Sequence, residues 1–465
     1  MPIYALKTCI SDLKQNDTQD ISQFFVSIPA QEIISSSMAR FGQFIRRERE
    51  TKGMSVDYFT LDGSEDSAKA GLPNLKDEHW AVYKNITEIY ARIRRFQEQY
   101  FQPYLITIAK SLAEEGKTKE KPPSVASASL FSSLFHLTNN ILLSLKALPV
   151  AERAIQHIKE GRAVVIALAD TNESVLKNRK TAGKADDDNV SIEVEEGMVI
   201  NGDYCFTFEN IFRNLLYYNV RKGRQVLYRV DVPVESLGED AVEEYNSIIS
   251  MFRKTTSGLC FSPIDVIRER IEREGYSVGE CTGRSMRLKF ENGDYIHSKI
   301  VSADKFSAQQ GKHVSLCYKK FNNNELDCLI INQSGSTGKS AHATNKNTSL
   351  KPEEVKQRVM LIAQAELDVN TEVQKRGRIN RTGQFEHIPP MYEYIFSGIP
   401  CEKRFMMMLK AKLKSLDANT TANQKQSNET VLKTDDFFNK YGDSIVENIL
   451  SSPSNWSVNH ELNDP

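Results

Sequence analysis

Two arginines three residues apart, Arg378 and Arg381, stand beside Gly377 in the segment EVQKRGRINRTGQ, with Gln374 ahead of them and Gly383 and Gln384 behind. Arginine carries a planar, permanently charged fork that can hold a phosphate oxygen through two parallel hydrogen bonds. Two such forks on one γ-phosphate would stabilise the charge that spreads over a phosphoryl group in transfer. The same residues also suit a solvated basic turn or a nucleic-acid patch, and the motif alone leaves those readings open.

Two more polar segments have residue types for phosphate chemistry. QSGSTGKSAHATN (Gln333 to Asn345) contains GSTGKS, which looks like a Walker A phosphate loop, Gly-x-x-x-x-Gly-Lys-Ser/Thr. That spacing requires a glycine at 333, where the chain has Gln333, so the P-loop reading is rejected. The small residues Ser336, Thr337 and Gly338 instead suit a loop whose hydroxyls and N–H groups meet a strand phosphate or a ribose, with a plain Gly/Ser turn as the alternative. ADTNES (Ala169 to Ser174) offers Thr171 and Ser174 for similar backbone contacts. The aspartates of KTAGKADDDN lack calcium-loop spacing. His297, His342 and His387 have no partner at metal-ligand spacing, so no metal site is expected.

These segments need a scaffold, and the apolar runs supply one. AVVIALAD (Ala163 to Asp170) is apolar on both faces, as a central parallel strand covered by helices must be. LDCLIIN, RVMLIA and YEYIF are further short strands, and VDYFTLDG begins with another. Strands alternating with polar loops and helices argue for an open parallel α/β sheet, where ligands gather outside the carboxyl ends of the strands. The three polar segments are therefore expected to converge there. Tyr83, Ile86, Ile89, Tyr90, Ile93, Phe96 and Tyr100 recur at helical spacing, as a core stripe ended by Pro103. A second helical region is expected from about Ser127 until Pro149, a third from Ala151 to Glu160 and a last from Glu402 to Leu416. An aromatic helix is expected around Phe206 to Tyr218, another over Ile264 to Glu274, and a short one near Asp435 to Leu450.

With 465 residues, 40% hydrophobic, 26% charged and a formal net charge of −1, the chain has no whole-molecule signature for nucleic acid. Its seven cysteines are scattered without a CxxC pair, as expected of a reducing cytoplasm. No signal pattern opens the chain and no apolar run approaches the ~18 residues of a bilayer span, so no membrane association is expected.

The order of these segments resembles the second RecA-like lobe of superfamily-two helicases, in particular the Strawberry notch type, related to Swi/Snf translocases. GRAVVIALADTNES looks like motif IV and LIINQSGSTGKSAHATN like motif V, while VQKRGRINRTGQ is similar to motif VI, Gln-x-x-Gly-Arg-x-x-Arg-x-Gly-Gln. LCFSPIDVIRERIEREGYSVGECTGR resembles the family's Pro-Asp helix with its Thr-Gly-Arg end, and CEKRFMMMLKAKLKSLDANTTAN its Glu-Arg-Phe helix, departing at Asp417, Asn419 and Thr420. The likeness covers roughly residues 30 to 425 with gaps.

The resemblance implies an α/β RecA-like lobe two with helical insertions. Residues 1–60 would be a remnant of the first lobe and 61–150 a helical insertion; 151–182 would open lobe two, 183–310 would be an inserted mixed region, 311–420 the remainder and 421–465 a polar tail. It also implies ATP shared with a first lobe on another polypeptide, Mg²⁺ held by that lobe, and DNA in preference to RNA as partner. Arg378, Arg381 and Gln374 would serve the γ-phosphate, Gly338 and Gly377 the nucleotide pocket, and Thr171, Ser174, Ser336 and Thr337 the nucleic acid. Without a Walker A loop in the chain, no ATPase activity is expected from it alone. The rival from another class is a non-catalytic scaffold that retains a degenerate lobe.

Overall fold

A computed structural model describes residues 54–114, 127–169, 171, 196–222, 225–291, 294–303, 310–333, 338–366, 368–381 and 383–420. The central element is a six-stranded sheet, every pairing in it parallel, formed by β1 (Ser55–Thr60), β11 (Met391–Phe396), β10 (Arg358–Ile362), β2 (Ala163–Ala167), β9 (Cys328–Ile331) and β6 (Val278–Cys281), in that spatial order. This is the open parallel sheet of an α/β RecA-like lobe. All residues of β2, β9 and β10 are buried, which explains their apolar runs: helices cover both faces.

One face is covered by α4 (Ser127–Lys159), whose Arg153 and His157 both reach Glu393 of β11. The other is covered by α8 (Gln310–Asn322) and α9 (Val369–Arg376). Tyr394 of β11 donates to Glu372 on α9 at 2.5 Å, and Tyr392 to the Arg376 carbonyl at 2.8 Å. These contacts run α9 antiparallel to β11, away from the carboxyl edge. Lysines fill part of that edge: Lys146 donates to the carbonyls of Ala363 and Ile395 and pairs with Glu402, and Lys375 donates to Leu168 O.

Helices α1 (Glu65–Lys69), α2 (Lys76–Phe96) and α3 (Gln102–Glu114) precede α4. The stripe on α2 is core: Ile86, Ile89, Ile93 and Phe96 are buried. The chain stays helical past Pro103, because a π-helical turn over Gln97–Phe101 takes up the backbone mismatch a proline creates. Pro149 likewise lies inside α4 instead of ending it. An interior proline costs about 3 kcal/mol. Burial of Leu143, Ala147, Val150, Ala151 and Ile155 around it outweighs this, each large aliphatic being worth about 1.5–3 kcal/mol.

Between β2 and β6 come β3 (Val199–Asn201), α5 (Cys205–Arg213), the hairpin β4 (Tyr217–Lys222) and β5 (Gln225–Asp231), α6 (Glu239–Thr255) and α7 (Pro263–Arg273). The aromatic helix stops at Arg213, and Tyr217 and Tyr218 instead begin β4, as their β propensity favours. An aromatic cluster holds this region: Phe208 stacks on Phe252 at 3.8 Å, Phe212 on Tyr245 at 4.5 Å, and Phe96 of α2 meets Phe212 edge-on. β3 also joins β8 (Asp294–Ser302) and β7 (Met286–Glu291) in a separate antiparallel sheet.

Three boundaries read from the sequence move. β1, placed with the first-lobe remnant ending at residue 60, is an edge strand of the main sheet. The break at 150/151 falls inside α4. α7 packs on α4 and β6 forms the other sheet edge, so the main layer resumes near Pro263, ahead of residue 311. α10 (Pro400–Thr420) contains the expected last helix, while the helix expected near Asp435 lies outside the described residues. Among the described residues no helix is long and apolar enough to cross a membrane.

Candidate functional site

α9 begins at Asp368, whose carboxylate accepts from the N–H groups of Asn370 and Thr371 as an N-cap. It ends at Gly377, and the arginines follow. Gly377 has an ordinary helical φ of −62°, so its conformation does not require glycine; a Cβ there would lie 3.4 Å from two carbonyl oxygens. Gln374 is exposed on α9.

The two arginines have different surroundings. Arg378 is 6% exposed. Its Nη1 donates to the Lys339 carbonyl at 2.9 Å, and its own carbonyl accepts from Ala341 N at 2.8 Å. Its Nε is buried with no hydrogen-bond partner. Arg381 is exposed, and only its Nε is occupied, donating to the Gly377 carbonyl at 3.1 Å. Burial, and then the charge of Arg381, push the Arg378 guanidinium below its usual value.

Around the pair lie groups that sequence reasoning did not assemble. Tyr318 of α8 is buried and close enough to feel both arginines; burial pushes its phenol up while Arg378 and Arg381 oppose the rise. Burial, and then Arg381, Arg358 and Lys346, hold the His342 imidazole below its usual range, and its Nδ1 is buried without a partner. Arg358, the first residue of β10, is 0% exposed with Nε, Nη1 and Nη2 all unpartnered. The Phe321 ring lies 4.7 Å from its guanidinium carbon and is what compensates it among the described residues, and burial lowers it to about 10. Among the described residues, no carboxylate forms an ion pair with Arg358, Arg378 or Arg381. Lone arginines and histidines at separate sequence positions carry no shared spacing; an arginine heading an otherwise apolar strand was the one signal available.

Gly338, with a φ of +76° that suits glycine, opens the described part of the motif V loop and is exposed. The structure brings it alongside Arg378 through Lys339 and Ala341. Ser336, Thr337 and Ser174 lie outside the described residues. Thr171 is half-buried just past β2, at the carboxyl edge, where Ala169 N donates to Gln364 at 3.1 Å. Of the expected convergence, the described residues show the second and third segments joined, Arg378 to Lys339, with Lys375 of α9 reaching Leu168 O at the carboxyl edge. α9 carries Arg378 and Arg381 back along the sheet by its eight residues, about 12 Å at helical rise, because its contacts with Tyr394 and Tyr392 run it antiparallel to β11.

Lys339 also argues against a P-loop. A phosphate loop opens directly into a helix N-terminus. Here the chain from Gly338 to Lys351 forms no helix, only a 3₁₀ turn follows at Pro352–Glu354, and Lys339 Nζ donates to Ser315 Oγ at 3.2 Å. Among the described residues no group of three His, Cys, Asp or Glu could hold a metal.

The parallel sheet, with the polar chain after Gly338 and the α9 arginines beside it, has the architecture of an α/β RecA-like lobe. Residues 265–461 match the family model described as the C-terminal domain on Strawberry notch homologue. Protein strawberry notch homolog 2 of Homo sapiens is 26% identical over 196 residues, 41% of this chain and 13% of that protein. The Mus musculus homolog 2 is 25% identical over 197 residues, 41% of this chain and 14% of the relative. Human strawberry notch homolog 1 is 25% identical over 134 residues, 29% of this chain and 9% of its own length. Residues 265–461 are thus similar to a Strawberry notch-type helicase C-terminal lobe, and the matches span under a sixth of these relatives.

Proposed function

We propose that this lobe supplies the phosphate-facing arginines of an ATP-dependent DNA helicase or translocase, acting on a nucleotide held by a first RecA-like lobe. One observation carries the reading: Arg378 and Arg381 lie together, with the buried Arg358 reached through His342, and among the described residues none of the three is paired with a carboxylate, so the charge suits an anion from outside. The residues fit a triphosphate. Arg381 is exposed with its two Nη groups uncommitted, and Arg378 holds an unpartnered Nε behind it.

The two arginines divide the work. Arg381 contacts the γ-phosphate and stabilises charge in the transition state, a contribution of about 10³- to 10⁵-fold for an arginine finger. Arg378 ties the end of α9 to the motif V loop through Lys339 O, so a shift of α9 on nucleotide binding moves the loop that carries Ser336, Thr337 and Gly338. Gln374 positions the attacking water or phosphate from the exposed side of α9. ATP with Mg²⁺ supplies the transferable phosphoryl group, the metal being held by the first lobe. Contacts to DNA through Thr171, Ser174 and the motif V hydroxyls are to the backbone, without sequence readout.

The test is ATP hydrolysis by this chain alone and mixed with a P-loop-bearing first lobe of the same family, with and without DNA. Hydrolysis in the DNA-containing mixture and none in the chain alone is expected. Hydrolysis by the chain alone, abolished by Lys339→Ala, would overturn the reading in favour of a self-contained P-loop enzyme. An inactive mixture would favour a non-catalytic scaffold.

A further inference from the structure

Arg358 heads β10, and its side chain exposes no surface. A guanidinium carries several N–H donors in a rigid fork and keeps its charge in a protein interior. Here Nε, Nη1 and Nη2 all lack a hydrogen-bond partner. Burial alone lowers the group to about 10, so it stays charged at neutral pH. The Phe321 ring lies 4.7 Å from the guanidinium carbon and leaves the donor edge of the fork unanswered. A ring face offsets only a small part of what it costs to take a cation out of water.

The neighbouring chain adds no counter-charge among the described residues. Phe321 and Asn322 end α8, and Asn322 Nδ2 donates to the Ser340 carbonyl at 3.0 Å, which holds the chain leading to His342. On either side of His342, Ala341 N donates to the Arg378 carbonyl at 2.8 Å and the Ala343 carbonyl accepts from Phe385 N at 3.0 Å. His342 feels the charge of Arg381, Arg358 and Lys346, and its Nδ1 is also buried without a partner. No carboxylate pairs with Arg358 among the described residues.

We propose that Arg358 holds a chloride ion at the N–H edge of its guanidinium, beside His342, as a buried counter-ion site of the fold. Charge selects an anion, because a buried cation is stable only when paired. Burial selects its size: a seat with no exposed surface favours a monatomic ion over a phosphoryl group, which the exposed Arg381 meets from solvent. Neither Arg378 nor Arg381 takes part in this seat, so it stands apart from the nucleotide reading.

The experiment is urea unfolding of the full chain at fixed ionic strength, with chloride replacing gluconate from about 10 to about 200 mM. An ion that binds only the folded state lowers the unfolding equilibrium constant by at most about tenfold for each tenfold rise in its concentration. A fall of about threefold or more is expected for the wild type over that range. Arg358→Met, and Arg358→Gln as a second neutral variant, should unfold with constants independent of chloride, while Arg381→Ala should respond like the wild type. On the folded wild-type chain the chloride NMR line should broaden, and it should narrow when urea unfolds the protein. A wild-type constant independent of chloride, an unchanged response in both Arg358 variants, or loss of the response in Arg381→Ala would overturn the proposal. So would inorganic phosphate stabilising more than chloride through Arg358, which would assign the residue to a phosphoryl group. ATP hydrolysis reads Arg381 and not this seat: a chloride response with an inactive two-lobe mixture would sink only the proposed function. An active mixture without a chloride response would sink only this inference.

Discussion

Arg284 and Arg358 are both fully buried arginines of the same lobe, yet their surroundings are opposite. Arg284 is wrapped by its own acids: Nε and Nη2 donate to Glu280 at 2.6 and 2.8 Å, and Nη1 and Nη2 donate to Asp265. The acids are satisfied in turn, Asp265 by Ser262 and by the Leu288 N–H, and Glu280 by Thr282. This network joins α7 to β6 and β7 and closes on itself. Among the described residues Arg358 has no hydrogen-bond acceptor, and nearby His342 feels the positive charge of both Arg358 and Arg381. A structural arginine brings its carboxylates with it; a region that keeps arginines without them is prepared for charge that arrives with a ligand.

Breaking the paired side should cost most stability. Arg284→Met leaves buried Asp265 without a cation and Glu280 with Arg268 alone, at 3.7 Å, and a loss of about 3–5 kcal/mol is expected in urea unfolding. A loss under 1 kcal/mol would show that the network is not the fastening it resembles. The same network sets an acid limit. Burial alone would raise the Glu280 carboxyl, but the charge and hydrogen bonds of Arg284 outweigh it and hold it at about 2. A carboxylate depressed in the folded state contributes stability that is complete above its unfolded value of 4.5 and lost as pH falls towards 2. The urea midpoint of the wild type should therefore fall between pH 5 and pH 2, and that fall should shrink in Arg284→Met.

On the unpaired side the sign reverses. Arg358→Met removes a buried charge with no partner and fills the space with an apolar chain, so stability should hold or rise by about 1 kcal/mol or more. A loss of 3 kcal/mol would mean that the Phe321 contact, or an unrecognised acceptor, compensates the guanidinium fully. Arg381→Ala, at the exposed end, should change stability by no more than about 0.5 kcal/mol.

The contrast also explains what the sequence could reveal. AVVIA, CLII and, after Arg358, VMLI are legible as strands because burial on both faces imposes an apolar run, and YEYIF because its aromatic and β-branched residues favour a strand. VGEC carries no such run, so a short edge strand reads in the sequence as part of the insertion over 183–310. Pro149 misled because a local breaking signal says nothing about the long-range burial that overrides it. In the candidate site, Arg378 and Arg381 were legible as a spaced pair, but their inequality was not: the Lys339 carbonyl that engages one and spares the other belongs to a different loop. Arg358, Tyr318 and His342 meet only through the packing of β10, α8 and the motif V chain.

The central claim is that carboxylate-free arginines here face a nucleotide. The most direct measurement is the kcat of DNA-stimulated ATP hydrolysis by the Arg381→Ala chain combined with a P-loop-bearing first lobe, at unfolding free energy matched to the wild type. A fall of about 10³-fold or more with stability unchanged is the predicted result. Wild-type turnover in that variant would contradict the account and return Arg381 to the status of a solvated basic turn.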